Sequence, residues 1–299
     1  MKTFLLSGTS LGVLTSGYFY PYALMQIPMG LLSDSWGPRK TVTVFGIVGG
    51  FGAILFGLAP NFFVATLSRI LVGFGLSGIF APSMKVCADW FKTSEYARIS
   101  GVFGVMGGIG WLIAAAPLAL ITDRFGWRAP FIALGFLTCL LALLTWGFVV
   151  DTPGKRGFPP IVECKSLDGT SDAGKVFAGI KVVVTNVYFW PLALCLFSVG
   201  GILFGFCGLW AGPYLMDTYK LSKPSAGNIL SMVAIGIIVG SPVSGYLSDK
   251  LLQSRKKVIL GSTFFLFIEW CIFYVFYQNL PLAFLGLLFF SSVFSPLAS

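Results

Sequence analysis

The sequence predicts an all-α integral membrane protein built as two helical bundles. Three observations carry that expectation: too few charged residues for a solvated surface, nine apolar runs of spanning length, and a loop motif that occurs twice. Only 10% of the 299 residues are charged and 56% are hydrophobic. A soluble domain carries about 25% charged residues, so this chain cannot cover one or two globular domains with polar groups.

A helix needs about 20 apolar residues to cross a bilayer core of about 30 Å. Cut at charged or Pro-, Gly- and Asn-rich joints, the chain gives runs at 11–32, 41–59, 63–84, 99–121, 129–150, 188–210, 227–247, 258–277 and 280–298. Residues 1–10 read as an extramembrane lead-in, because no small-x-small cleavage site follows a sustained apolar core. The longest polar stretch, 151–187, is rich in Gly, Pro, Asp and Lys and separates five helices from four. The expected organisation is therefore a bundle at 1–150, a linker at 151–187 and a second bundle at 188–299.

Alternating spans assign every loop to a side. Fourteen cations, from Arg39 and Lys40 through the linker to Arg255, Lys256 and Lys257, fall on one side. Arg124, Arg128, Lys220, Lys223 and Lys2 fall on the other. The bias marks the first side as cytoplasmic by the positive-inside rule, so the net charge of +9 is topological and requires no nucleic acid. The six cysteines lack close pairing and mostly lie in apolar runs, where they act as small hydrophobes. With no histidine in the chain, the usual metal ligand and the usual general base are both missing.

The repeated motif is Pro28-x-Gly30-x-Leu32-Ser33-Asp34 at the end of the first run and Pro242-x-x-Gly245-x-Leu247-Ser248-Asp249 at the end of the seventh. Each is followed by cations on the cytoplasmic side. A terminal Gly permits close helix approach, and an Asp placed there can pair with cations or accept from the N-terminal amides of a neighbouring helix. Two copies about 215 residues apart point to a duplicated bundle with a charged latch on one face.

The stretch Gly30-Leu31-Leu32-Ser33-Asp34-Ser35-Trp36-Gly37-Pro38-Arg39-Lys40 resembles the loop motif between helices 2 and 3 of the major facilitator superfamily, roughly G-x-L-[AS]-D-x-x-G-x-[RK]-[RK]. Arg69-x-x-x-Gly73-x-Gly75-x-x-Gly78 resembles that family's helix 4 motif. The resemblance implies twelve helices in two halves around a central cavity. The nine runs then correspond to family helices 2–10, with 188–299 a partial second bundle, and the sequence is expected to be a fragment of a longer transporter, the alternative being a reduced relative of the family.

Arg69 stands about six residues inside its span, where a charge costs at least roughly 2.5 kcal/mol unless it finds a cavity, a partner or the interface. The resemblance associates its position with coupling or with anchoring an anion. Tyr18, Tyr22 and Gln26 recur every four residues on one helix face; for Tyr22 and Gln26, cavity lining and interhelical glue both fit. Trp111 faces either a cavity or its helix neighbours. Gly101, Gly104, Gly107, Gly108 and Gly110 of the fourth run suit close helix crossing, and the family's antiporter Gly-Pro pair is absent, since Pro117 follows Ala116. Glu269 lies mid-span and must be neutral or paired. Lys85 and Asp89, four apart, read as a helical ion pair.

The expected function is secondary active transport of a small organic anion by alternating access, coupled to a proton or sodium ion. The substrate or coupling candidates are Arg69, Tyr22, Gln26 and Trp111. The cytoplasmic gating candidates are Gly30, Asp34, Gly37, Arg39, Lys40, Gly245, Asp249 and Arg255. The chain has no Walker-type Gly-x-x-x-x-Gly-Lys-Ser/Thr for ATP hydrolysis, and no cofactor or enzymatic constellation is expected. The alternative is a truncated, non-transporting fragment, membrane sensor or assembly partner. The location expected is the cell (inner) membrane, with the linker cytoplasmic.

Overall fold

The computed structural model describes residues 8–159, 179, 181–247, 253–276, 278 and 280–291. They are almost entirely helical. The first six helices are α1 (Gly8–Trp36), α2 (Pro38–Leu58), α3 (Phe62–Ser77), α4 (Phe80–Trp90), α5 (Thr93–Phe125) and α6 (Arg128–Phe148). A short 3-10 turn follows at Pro153–Arg156. Then come α7 (Phe189–Thr218), α8 (Lys223–Tyr246), α9 (Arg255–Phe276) and α10 (Leu282–Ser291). Since α3 and α4 form one span, Phe62–Trp90, each of the nine expected runs holds a helix, in the expected order, and residues 181–185 add a short helical stretch before α7.

Among the described residues, seven helices are long and apolar enough to cross a membrane. α1 is not one of the seven, although it runs for 29 residues. It is more polar, because Tyr18, Tyr20, Tyr22 and Gln26 interrupt its apolar positions.

Several boundaries lie beyond expectation: α4 runs to Trp90 instead of 84 and α5 covers Thr93–Phe125 instead of 99–121, and two others change the reading of the sequence. α1 does not end at the Pro28–Asp34 motif but continues through it to Trp36, so that Gly37 alone makes the turn into α2. Gly37 has φ +91°, a conformation that costs a side chain and suits glycine. Pro38 then opens α2, where its missing N–H is no loss. α7 likewise continues past the expected end at 210 to Thr218, through a π-helical segment at Gly201–Trp210. Pro213, which has no N–H to donate, follows directly on that wider turn.

The chain divides into two compact units, Met1–Ala97 with Ile121–Ala173, and Arg98–Leu120 with Gly174–Ser299. The units are not contiguous stretches, because the middle of α5 groups with the later helices and not with 1–150.

In the first unit α2 is the central helix. Gly46 faces Ala142 of α6, where an added Cβ would stand 2.9 Å from the alanine Cβ, and Gly50 faces Gly135 and Cys139. On its other side Gly49 and Gly52 meet α3 at Leu76 and Val72. Two glycine faces on one helix let both neighbours approach to backbone contact, where dispersion can replace the hydrophobic drive that lipid does not supply. Asn61 caps α3, its side chain accepting from the Val64 amide at 2.9 Å.

In the second unit the core is aromatic. Phe206 of α7 meets Trp270 of α9 edge-on at 5.0 Å, and Phe273 and Phe289 complete the cluster. Gly108 of α5 packs against Ile238 of α8. A Cβ at Gly101, Gly107 or Gly110 would meet nothing within 4 Å, so of these four only Gly108 makes the close crossing expected of the α5 glycines.

Candidate functional site

Arg69 sits two turns into α3, half-buried. Its guanidinium carbon lies 4.8 Å from the Phe56 ring centroid and 5.6 Å from that of Phe131. Those rings meet edge-on at 4.7 Å, with Trp127 packed beside them. The cation therefore rests on aromatic faces contributed by α2 and α6, an arrangement worth about 1–2 kcal/mol when desolvated. Its Nε is buried and has no hydrogen-bond partner among the described residues. A buried donor left unmade costs about 1–3 kcal/mol, so the site is stabilised as a platform but unsatisfied as a donor.

α1 supplies the facing wall. Tyr18 lies within electrostatic reach of Arg69, and the Tyr18 and Tyr22 rings stack at 5.7 Å with 21° between their planes. One turn further on, the Gln26 Nε2 is also buried and unpartnered among the described residues. Arg69, Tyr18 and Tyr22 are thus brought together, with Gln26 continuing their face. Trp111 is not brought to them. It belongs to the second unit, where it packs on the aromatic core and lies 5.8 Å from the Phe204 ring.

The loop motif forms a brace at the opposite end of the first unit. Asp34 pairs with Lys85 at 2.5 Å. The lysine thus reaches across from α4 to α1, and it also acts electrostatically on Asp89, the expected partner. With side chains 34% and 64% exposed, the pair is worth at most about 1 kcal/mol. Replacing Lys85 with Ala should therefore move the melting temperature by only a degree or two, and the charge swap Asp34→Lys with Lys85→Asp should restore any loss.

The stronger tie runs through Asp151, read from sequence as the first residue of the linker. Its carboxylate accepts the Arg39 main-chain N–H at 2.8 Å and the Lys155 ammonium at 2.6 Å, placing an anion at the N-terminus of α2. The Arg39 guanidinium donates to the Trp146 carbonyl at 2.8 Å and lies over the Trp146 ring, placing a cation at the C-terminus of α6. Trp90 donates to the Val150 carbonyl at 2.9 Å. Gly37 completes the fit, since a Cβ there would stand 3.1 Å from the Asp151 carboxylate. The first residues of the expected linker are thus part of the bundle.

Burial alone would raise the Asp151 carboxyl, but the Lys155 and Arg39 hydrogen bonds and charges outweigh it and hold it below the usual carboxylate value. Its support of the turn is therefore complete above the ordinary value of about 3.9 and is lost as pH falls through its own lower one. Asp151→Ala should cost about 1–2 kcal/mol. Hydrogen-exchange protection of the Arg39 amide should drop in that variant and, in the parent chain, at acid pH.

The remaining gating candidates contribute less. Gly30 lies within α1, and a Cβ there would meet nothing within 4 Å, so it does not mediate close helix approach as expected. Lys40 is exposed. Gly245 lies near the end of α8, while Asp249 and the side chain of Arg255 fall outside the described residues. The functional residues that sequence reasoning missed are Asp151, Trp146 and the aromatic rings under Arg69. For Asp151 a signal existed: a lone Asp four residues before Lys155, directly after a span.

These features define a multi-pass helical membrane protein with an unsatisfied cation held inside one bundle. The model of the major facilitator superfamily matches residues 1–299, and the chain belongs to that superfamily. It is similar to a probable sulfoacetate transporter of Cupriavidus necator, at 24% identity over 88% of this chain and 61% of the relative. It is also similar to a probable L-galactonate transporter of Escherichia coli, at 27% identity over 87% of this chain and 59% of the relative. The chain spans about three fifths of the length of these curated relatives. A solved bacterial homologue of the human lysosomal transporter Spinster, in an inward-facing unoccupied conformation, shares the fold with a TM-score of 0.67 at 20% identity. That match covers 99% of this chain and 66% of the other.

Proposed function

We propose that this chain is the body of a secondary transporter for small organic anions, with the solute's acid group held by Arg69 beside Tyr18, Tyr22 and Gln26. The observation that carries this reading is that the buried, unpartnered side-chain nitrogens of the first unit, Arg69 Nε and Gln26 Nε2, are both N–H donors. Two donors without acceptors are complementary to a ligand that brings acceptors, and a guanidinium favours a carboxylate, sulfonate or phosphate among those. The relatives named for sulfoacetate and L-galactonate, both organic acid anions, support the same class.

In the cycle we infer, Trp111 and the second unit supply the other half of an alternating-access pathway in the inner membrane, with the linker cytoplasmic. The Asp34, Gly37, Arg39 and Asp151 brace keeps the cytoplasmic end of the first unit rigid while the units move. Family membership also argues against an enzyme. Uptake of a labelled organic acid into proteoliposomes should be saturable and should require an imposed proton or sodium gradient. Uptake undiminished after both gradients are collapsed would remove the coupled mechanism.

A further inference from the structure

Glu269 of α9 is only 7% exposed, and its same-face neighbours Leu266 and Phe273 belong to the apolar core of the second unit. Ser291 of α10 stands within hydrogen-bonding reach of its carboxyl. The Ser291 hydroxyl also reaches the Leu287 carbonyl at 2.6 Å, so its single proton is shared between that carbonyl and the carboxyl. The Glu269 Oε2 has no partner among the described residues. An ionised carboxylate can only accept hydrogen bonds, and among the described residues the one donor in reach is that shared Ser291 hydroxyl. A carboxylic acid, in contrast, can give its O–H to Ser291 Oγ.

Among the described residues, no charged group lies within electrostatic reach of this carboxyl. α10 carries no ionisable residue, and residues 292–299 contain none. On α7 the groups nearest this core are the Cys207 thiol and the Tyr214 phenol, both neutral near physiological pH. On α9 itself, Lys257 lies twelve residues away, about 18 Å along the axis. A hard metal cation takes several converging oxygens, and here there are only the carboxyl and one hydroxyl.

We propose that Glu269 is a proton-binding site in the second unit and holds the coupling proton of the transport cycle. The coupling role rests on the transport reading above, whereas proton binding is tested without it. The chain's glutamates are Glu95, Glu163 and Glu269, so carbon-13 glutamate labelling isolates a small set. Infrared difference spectra of the labelled chain in nanodiscs should show a label-shifted carboxylic-acid carbonyl band at neutral pH that disappears in Glu269→Gln. Glu269→Asp should move that band out of the labelled set while keeping it in unlabelled protein, which covers the case in which the glutamine variant does not fold. If no label-shifted acid band is present at neutral pH, or if it survives in Glu269→Gln, the proposal is wrong. Where an organic acid binds, the parent chain in weak buffer should exchange about one proton per solute and Glu269→Gln none. Equal proton exchange in both would overturn the coupling role while leaving the transport reading intact.

Discussion

Replacing Arg69 with Ala should weaken binding of an organic acid by roughly 30-fold or more, equivalent to about 2 kcal/mol, the lower end of what is lost when one member of a buried charge pair is truncated. The loss should appear in solute affinity and uptake and hardly at all in thermal stability. Stability gives up a cation–π contact of about 1 kcal/mol with Phe56 and Phe131, but the variant also removes a buried donor that had no partner. Arg69→Lys keeps the charge and forfeits the planar stack and the fork of donors, so it should fall between parent and alanine. A structural arginine would give the reverse pattern, with a large drop in melting temperature and unchanged affinity in whatever protein remains folded.

Gly73→Ala should be among the most destabilising single-methyl changes in the first unit, at about 3 kcal/mol. A Cβ at Gly73 would stand 3.0 Å from the Tyr18 carbonyl carbon and closer still to its oxygen. The obstacle is main chain, which cannot rotate away as a side chain can, so α1 and α3 must move apart. That displacement also carries Tyr18 away from Arg69, so the variant should lose binding along with stability. Gly12→Ala, on the same α1 helix, is the control. Nothing lies within 4 Å of a Cβ there, and the helix-propensity gain of up to about 1 kcal/mol should leave it as stable as the parent or slightly more so. Melting of both variants in detergent, followed by size-exclusion fluorescence, decides the matter.

The spans were legible because hydropathy over about 20 residues is a strong local signal, and all nine runs appear as helices in order. Their ends were less so. The Pro28–Asp34 motif reads as a helix terminus because proline and glycine break helices in water, yet α1 continues because lipid offers no other partner for its backbone; Gly37 then does the turning alone. The candidate site was half legible. Arg69 and the Tyr18, Tyr22, Gln26 face follow from charge placement and helical period. The rings beneath the arginine come from Phe56 and Phe131, on helices whose packing no local pattern encodes. Lys85 illustrates the same limit, since a partner four residues away at Asp89 is the natural reading on one helix, while its tie to Asp34 some fifty residues away has no local signal. The glycine faces of α2 were visible as residues, but their pairing with α3 and α6 is a tertiary fact.

The most direct test of the central claim, that the first unit recognises an anion through Arg69, is equilibrium binding of labelled L-galactonate to the purified chain in nanodiscs, with competition by other organic acids and by neutral D-galactose. The account predicts saturable binding, displaced by organic acids, indifferent to the neutral sugar and weakened roughly 30-fold by Arg69→Ala. Displacement by the neutral sugar as effective as by the acids, or binding unchanged in Arg69→Ala, would contradict it.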